Sequence, residues 1–375
     1  MSHQIMKQYR NKQKTNSVTD IETDPLIKAT IDSGAADNSA SIKNFSIDLS
    51  MHPNFYTFVI SDLHIGASGC NLQKFIRDLK LISQIPNAVI IINGDALQNS
   101  TLSGASNAHF DKCNPEDQLR ILFKLIGVKE IKSKVILVVS GNHENGARSR
   151  DSGLDVLKHF SSGMGYYLIH ADYNYAITIQ ALTKSGKKYP VRIAGRHGSG
   201  SANENGGTID QAKNMLKVVS WADIVYISHF HKGAVAKEYQ IIIDEMGNRK
   251  LSTVNLISTS SYEEYDQFPA SMAMSPSNTD NYLQEICLID NPLLQDTHYS
   301  QRKMLPKYSV EVSLINMGSP KIEEIIENFK TNTKSNIDAN IFEKTADLKN
   351  EIIKYCKNKN KLLSKKELEE YDKEQ

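Results

Sequence analysis

The stretch KVILVVSGNHENGARSR, Lys134–Arg150, opens with an apolar, β-branched run and ends in a turn. That turn carries an amide, an imidazole, a carboxylate and two guanidinium groups. A short run of this kind bounded by turn residues reads as a buried strand. The turn alone is ambiguous, because Asn-His-Glu solvates a loop as readily as it binds a ligand. The rest of the chain has to decide.

The same design recurs on both sides. NFYTFVIS, NAVIIING, YPVRIAG and ADIVYIS are apolar runs of strand length. Between them lie segments of helical period, with Leu72, Phe75, Ile76, Leu79 and Ile82 on one face of NLQKFIRDLKLIS. Leu119, Leu122, Phe123 and Ile126 share a face of PEDQLRILFKLIG, and Ile209, Ala212, Leu216 and Val219 one of TIDQAKNMLKVVS. Strands alternating with helices predict an α/β sheet with helical cover. The last third differs. KEYQIIIDEMGNRKLSTVNLISTSS reads as a hairpin across Gly247-Asn248, and YLQEICLID and YSVEVSLIN follow without helices between them. These later strands predict a second, mostly antiparallel sheet packed on the first.

Bulk properties narrow the class. The hydrophobic fraction of 40% and charged fraction of 23% suit an ordinary globular chain, and a net charge of +1 argues neither for nor against nucleic acid. Cys70, Cys113, Cys287 and Cys356 form no CxxC pair, which argues against a disulfide framework and a thiolate zinc site and suits a reducing compartment. No run approaches the roughly 18 apolar residues of a membrane span, and the N-terminus lacks the apolar core of a signal peptide. The expected location is the cytosol, with no membrane partner. Residues 1–44 are polar and aperiodic and are expected to be a flexible extension, 45–317 the domain. Residues 318–375 are a charged, helical tail with Ile337, Ile341, Leu348, Ile352 and Tyr355 as its apolar stripe; a protein partner for it is an open alternative.

The position of the polar residues is the informative feature. Each of the five apolar runs ends in a group able to bind a metal: Asp62 and His64, Asp95, Asn142 and His143, His197, and His229 and His231. In open α/β sheets ligands bind beyond the carboxyl ends of the strands, so these groups can converge from distant positions. Taken singly, Asp62 could be a helix cap, Gly94-Asp95 a turn and His197 a loop residue. His229 and His231, two apart on an extended chain, point the same way. His52, His109, His159, His170 and His298 fit no such pattern and read as core or surface residues. Mixed carboxylate, imidazole and amide donors suit Mn²⁺, Fe or Zn²⁺ better than Mg²⁺ or Ca²⁺. They are too many for one tetrahedral ion but enough for two ions about 3.5–4 Å apart, a site suited to phosphoester hydrolysis.

SDLH, NGD, SGNHE, GRHGSG and SHFH, in this order from Asp62 to His231, resemble the motif series of the calcineurin-like metallophosphoesterases. The flanks GNHENGARSRDSGLD and HGSG…NGG look like its branch common in phages and mobile elements. The resemblance implies a four-layer αββα sandwich, two mixed β-sheets flanked by helices. It also implies two divalent ions, Mn²⁺ first and Fe or Zn²⁺ next. Asp62, His64 and His231 would hold one ion, Asn142, His197 and His229 the other, and Asp95 both. His143 would assist the leaving group of a phosphoester, attacked by a hydroxide bridging the two ions, and Glu144 would support the turn. The expected activity is that of a phosphodiesterase acting on a phosphoester, with nucleotides or nucleic acid as candidate substrates. A DNA nuclease like the recombination-repair exonucleases and a non-catalytic metal-binding or assembly protein are the alternatives. Arg148, Arg150 and Arg196 are candidate phosphate clamps. The loop Ser260–Asn278, with two tyrosines and a phenylalanine, reads equally as a substrate channel or a packed loop. The chain departs from the family pattern at Ser228, usually glycine, at Phe230, usually small and polar, and at Ala96-Leu97-Gln98, where an acidic residue is often found.

Overall fold

Strands buried on both faces explain why the apolar runs show no alternation. In β3 (Ala88–Asn93), Ile90 and Ile92 face one core while Val89 and Ile91 face another. β2 (Phe55–Ile60) and β4 (Val135–Val139) are buried along their whole length in the same way. The computed structural model describes residues 40–49, 53–100, 111–145, 155–165, 170–183, 187–200, 205–219, 222–243, 247, 249–264, 280–290 and 308–332. Arg148, Arg150, Tyr265, Phe268 and the apolar stripe of the tail lie outside them.

The remaining strands are β1 (Ala40–Leu49), β5 (His170–Ala171), β6 (Asn174–Thr183), β7 (Lys188–Arg196), β8 (Ile224–Ile227), β9 (Ala234–Ile243), β10 (Arg249–Ser258), β11 (Tyr282–Asp290) and β12 (Tyr308–Asn316). Among the described residues the helices are α1 (Leu72–Ser83), α2 (Pro115–Ile126), α3 (Lys129–Lys132), α4 (Val156–Met164), α5 (Asn205–Met215) and α6 (Pro320–Asn332). The described residues form two mixed six-stranded sheets, in the orders β1-β6-β7-β8-β10-β9 and β12-β11-β2-β3-β4-β5. Among the described residues three cores separate four layers. One lies between the second sheet and α1, α2, α4 and α6, with Phe58, Ile90, Phe75, Leu122, Phe160 and Phe329 among its members. The middle core joins the sheets through residues such as Ile91, Leu137, Ile177 and Tyr226. The third places Ala212 and Met215 of α5 against Val225 and Leu256. The fold is the αββα sandwich, α/β in class.

The allocation of strands differs from the sequence reading in one respect. The five apolar runs do not form one sheet: β2, β3 and β4 lie in one, β7 and β8 in the other. The later strands divide likewise, the β9–β10 pair joining β8 and the β11–β12 pair joining β2. Alternation within a strand reports burial on each face, not which sheet the strand enters, so partnership was not readable locally. Within each sheet β2, β3 and β4, and β7, β8 and β10, run parallel, which brings their carboxyl ends to one side.

Helix ends follow ordinary capping chemistry. Asn71 and Asn114 accept from the backbone N–H groups of Lys74 and Asp117, and Pro115 occupies the first turn of α2. The buried face of α2 is rotated from the expected one: Ile121, Leu122, Leu125 and Ile126 are buried, whereas Leu119 and Phe123 are half-buried. Gln118 is buried on the same face, where its amide donates to the Cys113 carbonyl and accepts from the Asn99 N–H. In α6, Ile322, Ile325, Ile326 and Phe329 are buried, and Phe329 meets Tyr56 edge-on at 6.2 Å. Phe329→Ala should therefore cost about 3–5 kcal/mol, read as a lowered denaturant midpoint, since a large core side chain leaves a cavity.

Candidate metal centre

The site forms where the parallel strands of both sheets end. Asp62 and His64 follow β2, Asp95 follows β3, and Asn142 and His143 follow β4. His197 follows β7, and His229 and His231 follow β8. The strand pairing continues a few residues into the loops, with Asp62 N donating to Gly94 O at 3.2 Å and His64 N to Asp95 O at 3.0 Å. Beyond those bonds the backbone turns sharply. Asp62, His64, Asp95, His229 and His231 adopt positive φ between 47° and 77°, costly for residues with a Cβ, although Asp and His tolerate the region better than most. Five of the expected ligands thus share a strained conformation that aims their side chains off the strand ends.

The side chains converge. Asp62, His64 and His231 form one group of donor atoms within 4.8 Å of one another; His64, Asp95 and His143 form a second, and Asp95, His197 and His229 a third. His231 Nε2 lies 3.2 Å from Asp62 Oδ1 and 3.3 Å from His64 Nε2. His197 Nε2 is 3.0 Å from Asp95 Oδ2 and 3.9 Å from Asp62 Oδ1, so both carboxylates flank one ring. His143 Nε2 stands 4.0 Å from Asp95 Oδ2. Asn142 is exposed on the turn beside His143. Arg196 donates to Ser199 Oγ at 3.1 Å at the surface.

The electrostatics are those of a site built for positive charge. Burial would raise the pKa of both carboxylates, but His231 and His197 overcome it at Asp62, and His197 and His143 at Asp95, holding both below the usual carboxylate range. Burial disfavours charge on His197, yet Asp95 and then Asp62 outweigh it and lift its pKa to about 10. At His64 burial prevails and pushes the pKa down to about 4. Asp62 Oδ1 and His197 Nε2 are buried and, although each lies within ion-pair distance of His231 or Asp95, neither makes a hydrogen bond of good geometry among the described residues. Orphaned buried donors and acceptors are rare and call for an explanation. Mixed carboxylate and imidazole donors around them fit divalent ions, which would displace the His197 proton on binding.

A tight shell holds these groups. Gly94 has a φ of 84°, and a Cβ there would lie 2.6 Å from the His197 ring; at Gly141 it would lie 2.2 Å from Asp95 Oδ1. His143 N donates to Asp95 Oδ1 at 2.8 Å and His229 N to Asp62 Oδ2 at 3.0 Å. The His197 Nδ1 is 2.7 Å from the Asn93 carbonyl, and His229 Nε2 is 2.8 Å from that of Gly200. Glu144, fully buried, accepts from the N–H groups of Asp95 (2.9 Å), Gly141 (3.0 Å) and Leu97 (3.0 Å), and so ties the β4 turn to the β3 turn. Burial and then the Asp95 carboxylate push its pKa up to about 8, against the pull of these donors.

Several contributors were not singled out in the sequence. Gln98 reaches His64 Nδ1 with its side-chain oxygen (3.0 Å) and His143 Nδ1 with its carbonyl (2.8 Å). Its sole signal was the departure at Ala96-Leu97-Gln98. Asn93 donates to Ser228 Oγ at 2.6 Å, and Thr259 Oγ1 does so at 2.8 Å, so the Ser228 departure is a hydrogen-bonded link between the sheets. Phe230 packs into the α5 core with its ring edge-on to His229. Tyr262 does not face a channel: it is buried against Phe75 and donates to the buried Asp78 at 3.0 Å. His170 contacts Ser140 and Asp172 away from the convergence.

Neither family models nor curated proteins match the sequence. Among solved structures the chain is similar to the calcineurin-like phosphoesterase YfkN from Bacillus subtilis, at 10% identity over 79% of this chain and 99% of that one, TM-score 0.31. It is similar to Vps29 of Chaetomium thermophilum at 13% identity over 70% and 97%, TM-score 0.29. A protein serine/threonine phosphatase of Saccharomyces cerevisiae is similar at 12% identity over 83% and 96%, TM-score 0.25. No helix among the described residues is long and apolar enough to cross a membrane.

Removing the Glu144 carboxylate should loosen the whole site. Glu144→Ala strands three buried N–H groups and should cost on the order of 3 kcal/mol or more, whereas Glu144→Gln keeps one acceptor and should cost less. Urea unfolding of the two variants checks this order.

Proposed function

We propose that the chain is a dinuclear metal-dependent phosphoesterase of the calcineurin-like type, and within it a phosphodiesterase of the branch common in phages. The observation that carries this reading is the convergence of Asp62, His64, Asp95, His143, His197, His229 and His231 from strand ends of both sheets into overlapping donor groups. Asp62, His64 and His231 would hold one ion, and Asn142, His197 and His229 the other. Asp95 shares one donor group with His64 and another with His197 and His229, which supports the reading that it would serve both ions. Mn²⁺ is the first choice on donor chemistry.

A bound pair of ions supplies Lewis acidity and a water whose pKa is lowered toward 7. The protein's own part is positioning and proton handling. Asp95 is fixed by the His143 N–H on one oxygen and His197 on the other. His143 Nδ1 faces the Gln98 carbonyl, which accepts only, so that nitrogen carries a proton and the ring is locked with Nε2 toward the cleft. A proton on Nε2 would pass to the leaving oxygen of the ester, the role of a general acid. Arg196, with Arg148 and Arg150, is the source of guanidinium groups for the phosphate. A phosphoester of a nucleotide or nucleic acid is the substrate class proposed.

The purified protein should bind two Mn²⁺ ions and hydrolyse bis-p-nitrophenyl phosphate; a metal-loaded protein inert towards mononucleotide, cyclic-nucleotide, DNA and RNA esters would overturn the reading. Asp95→Asn should lower the affinity for both ions, measured by metal content after dialysis. His143→Gln should retain the metals and reduce turnover by about 10²–10⁴-fold, the usual contribution of a positioned acid. Loss of metal in that variant would make His143 a ligand instead.

A further inference from the structure

Glu263 is a buried carboxylate beside the site, on the loop that follows β10. Its Oε2 lies 3.6 Å from His231 Nδ1 and 3.9 Å from His64 Nε2. The loop is stitched in place. Glu263 N donates to Ser261 Oγ at 2.9 Å, and that hydroxyl donates to the Asp62 carbonyl at 2.8 Å. Tyr262 N also donates to Asp62 O, Glu264 N donates to Gly69 O at 2.9 Å, and Glu263 pairs with Cys70 in an isolated bridge. The carboxylate is therefore held against His231 by the same turn that presents Asp62 and His64.

The far nitrogens of the other candidate imidazole ligands meet neutral acceptors: the Gln98 side chain for His64, the Asn93 carbonyl for His197 and the Gly200 carbonyl for His229. For His231 the far nitrogen has instead an ion-pair contact, 3.6 Å from the Glu263 carboxylate and longer than a hydrogen bond. A carboxylate at this distance favours a proton on the nitrogen it faces through its charge, and a proton there makes the opposite nitrogen the donor to a metal. His231 Nε2 is that opposite nitrogen, and it points at Asp62 Oδ1 and His64 Nε2.

We infer that Glu263 is a positioning residue for the ion held by Asp62, His64 and His231: it backs His231 at Nδ1 and makes this the tighter of the two sites. The inference rests on the dinuclear reading given above. It assigns to the two sites unequal affinities, with the carboxylate beyond β10 as the source of the difference.

Mn²⁺ alone is the probe, titrated calorimetrically into the full-length apoprotein with metal content counted after dialysis. Glu263→Gln should weaken one of the two ions by about 10–100-fold, the usual cost of losing a partner behind a metal-binding histidine, and leave the other nearly unchanged. Glu263→Asp should restore part of the loss, and Glu264→Gln, at the exposed neighbour, should bind as the wild type does. A readout that needs no variant is the nitrogen NMR spectrum of the Zn²⁺-loaded wild type, in which His231 should carry its proton on Nδ1. Unchanged affinities in a folded Glu263→Gln protein, equal weakening of both ions, or a proton on His231 Nε2 would each overturn the proposal. A wild type that takes up no Mn²⁺ overturns the dinuclear reading itself and is distinguished because it appears before any substitution.

Discussion

Two buried carboxylates, Asp62 and Asp95, flank the single ring of His197 at the seam of two sheets, and the architecture around them follows from that burial. An unpaired buried charge costs several kcal/mol, so each oxygen must find a donor or a cation. Backbone N–H groups of His143 and His229 and the side chains of His197 and His231 meet much of that demand. The imidazole contacts on an oxygen of Asp62 and a nitrogen of His197 are ion pairs without hydrogen-bond geometry, so these two atoms are the ones a divalent ion would engage.

Bringing those groups together requires strained backbone, and the sheets supply the constraint. Parallel strands end on one side, and the hydrogen bonds that continue from β2 to the β3 turn hold Asp62 and His64 where they would not rest alone. Asn93, Ser228, Thr259 and Ser61 form a chain of hydrogen bonds across the tops of both sheets, from 2.6 to 2.8 Å. Serine at 228 thus adds a link where glycine would leave the Asn93 amide short of a partner. Glu144 does the same within one sheet, joining two turns through three backbone donors.

Much of this was legible before the structure. The strand ends and the polar residues after them were readable because burial period and turn chemistry are local properties, and Asp62, His64, Asp95, His143, His197, His229 and His231 do converge. The buried face of α2 was not, since Gln118 is polar yet buried, bonded to the Cys113 carbonyl and to the Asn99 N–H of the loop after β3. Tyr262 and Glu263 sit in adjacent positions of one loop, yet one enters the core and the other faces the imidazoles; no local pattern separates them.

The sequence by itself determined which residues stand at the ends of buried strands and which donor types they offer, because hydrophobic period and turn preference act over a few residues. Only the tertiary structure decided which sheet each strand joins, that Gln98 braces two histidines, and that Glu263 stands behind His231. Those contacts depend on register and on the packing of one sheet against the other. They join positions 199 residues apart within the site, as at Asp62 and Ser261, and a linear pattern carries no record of such distances.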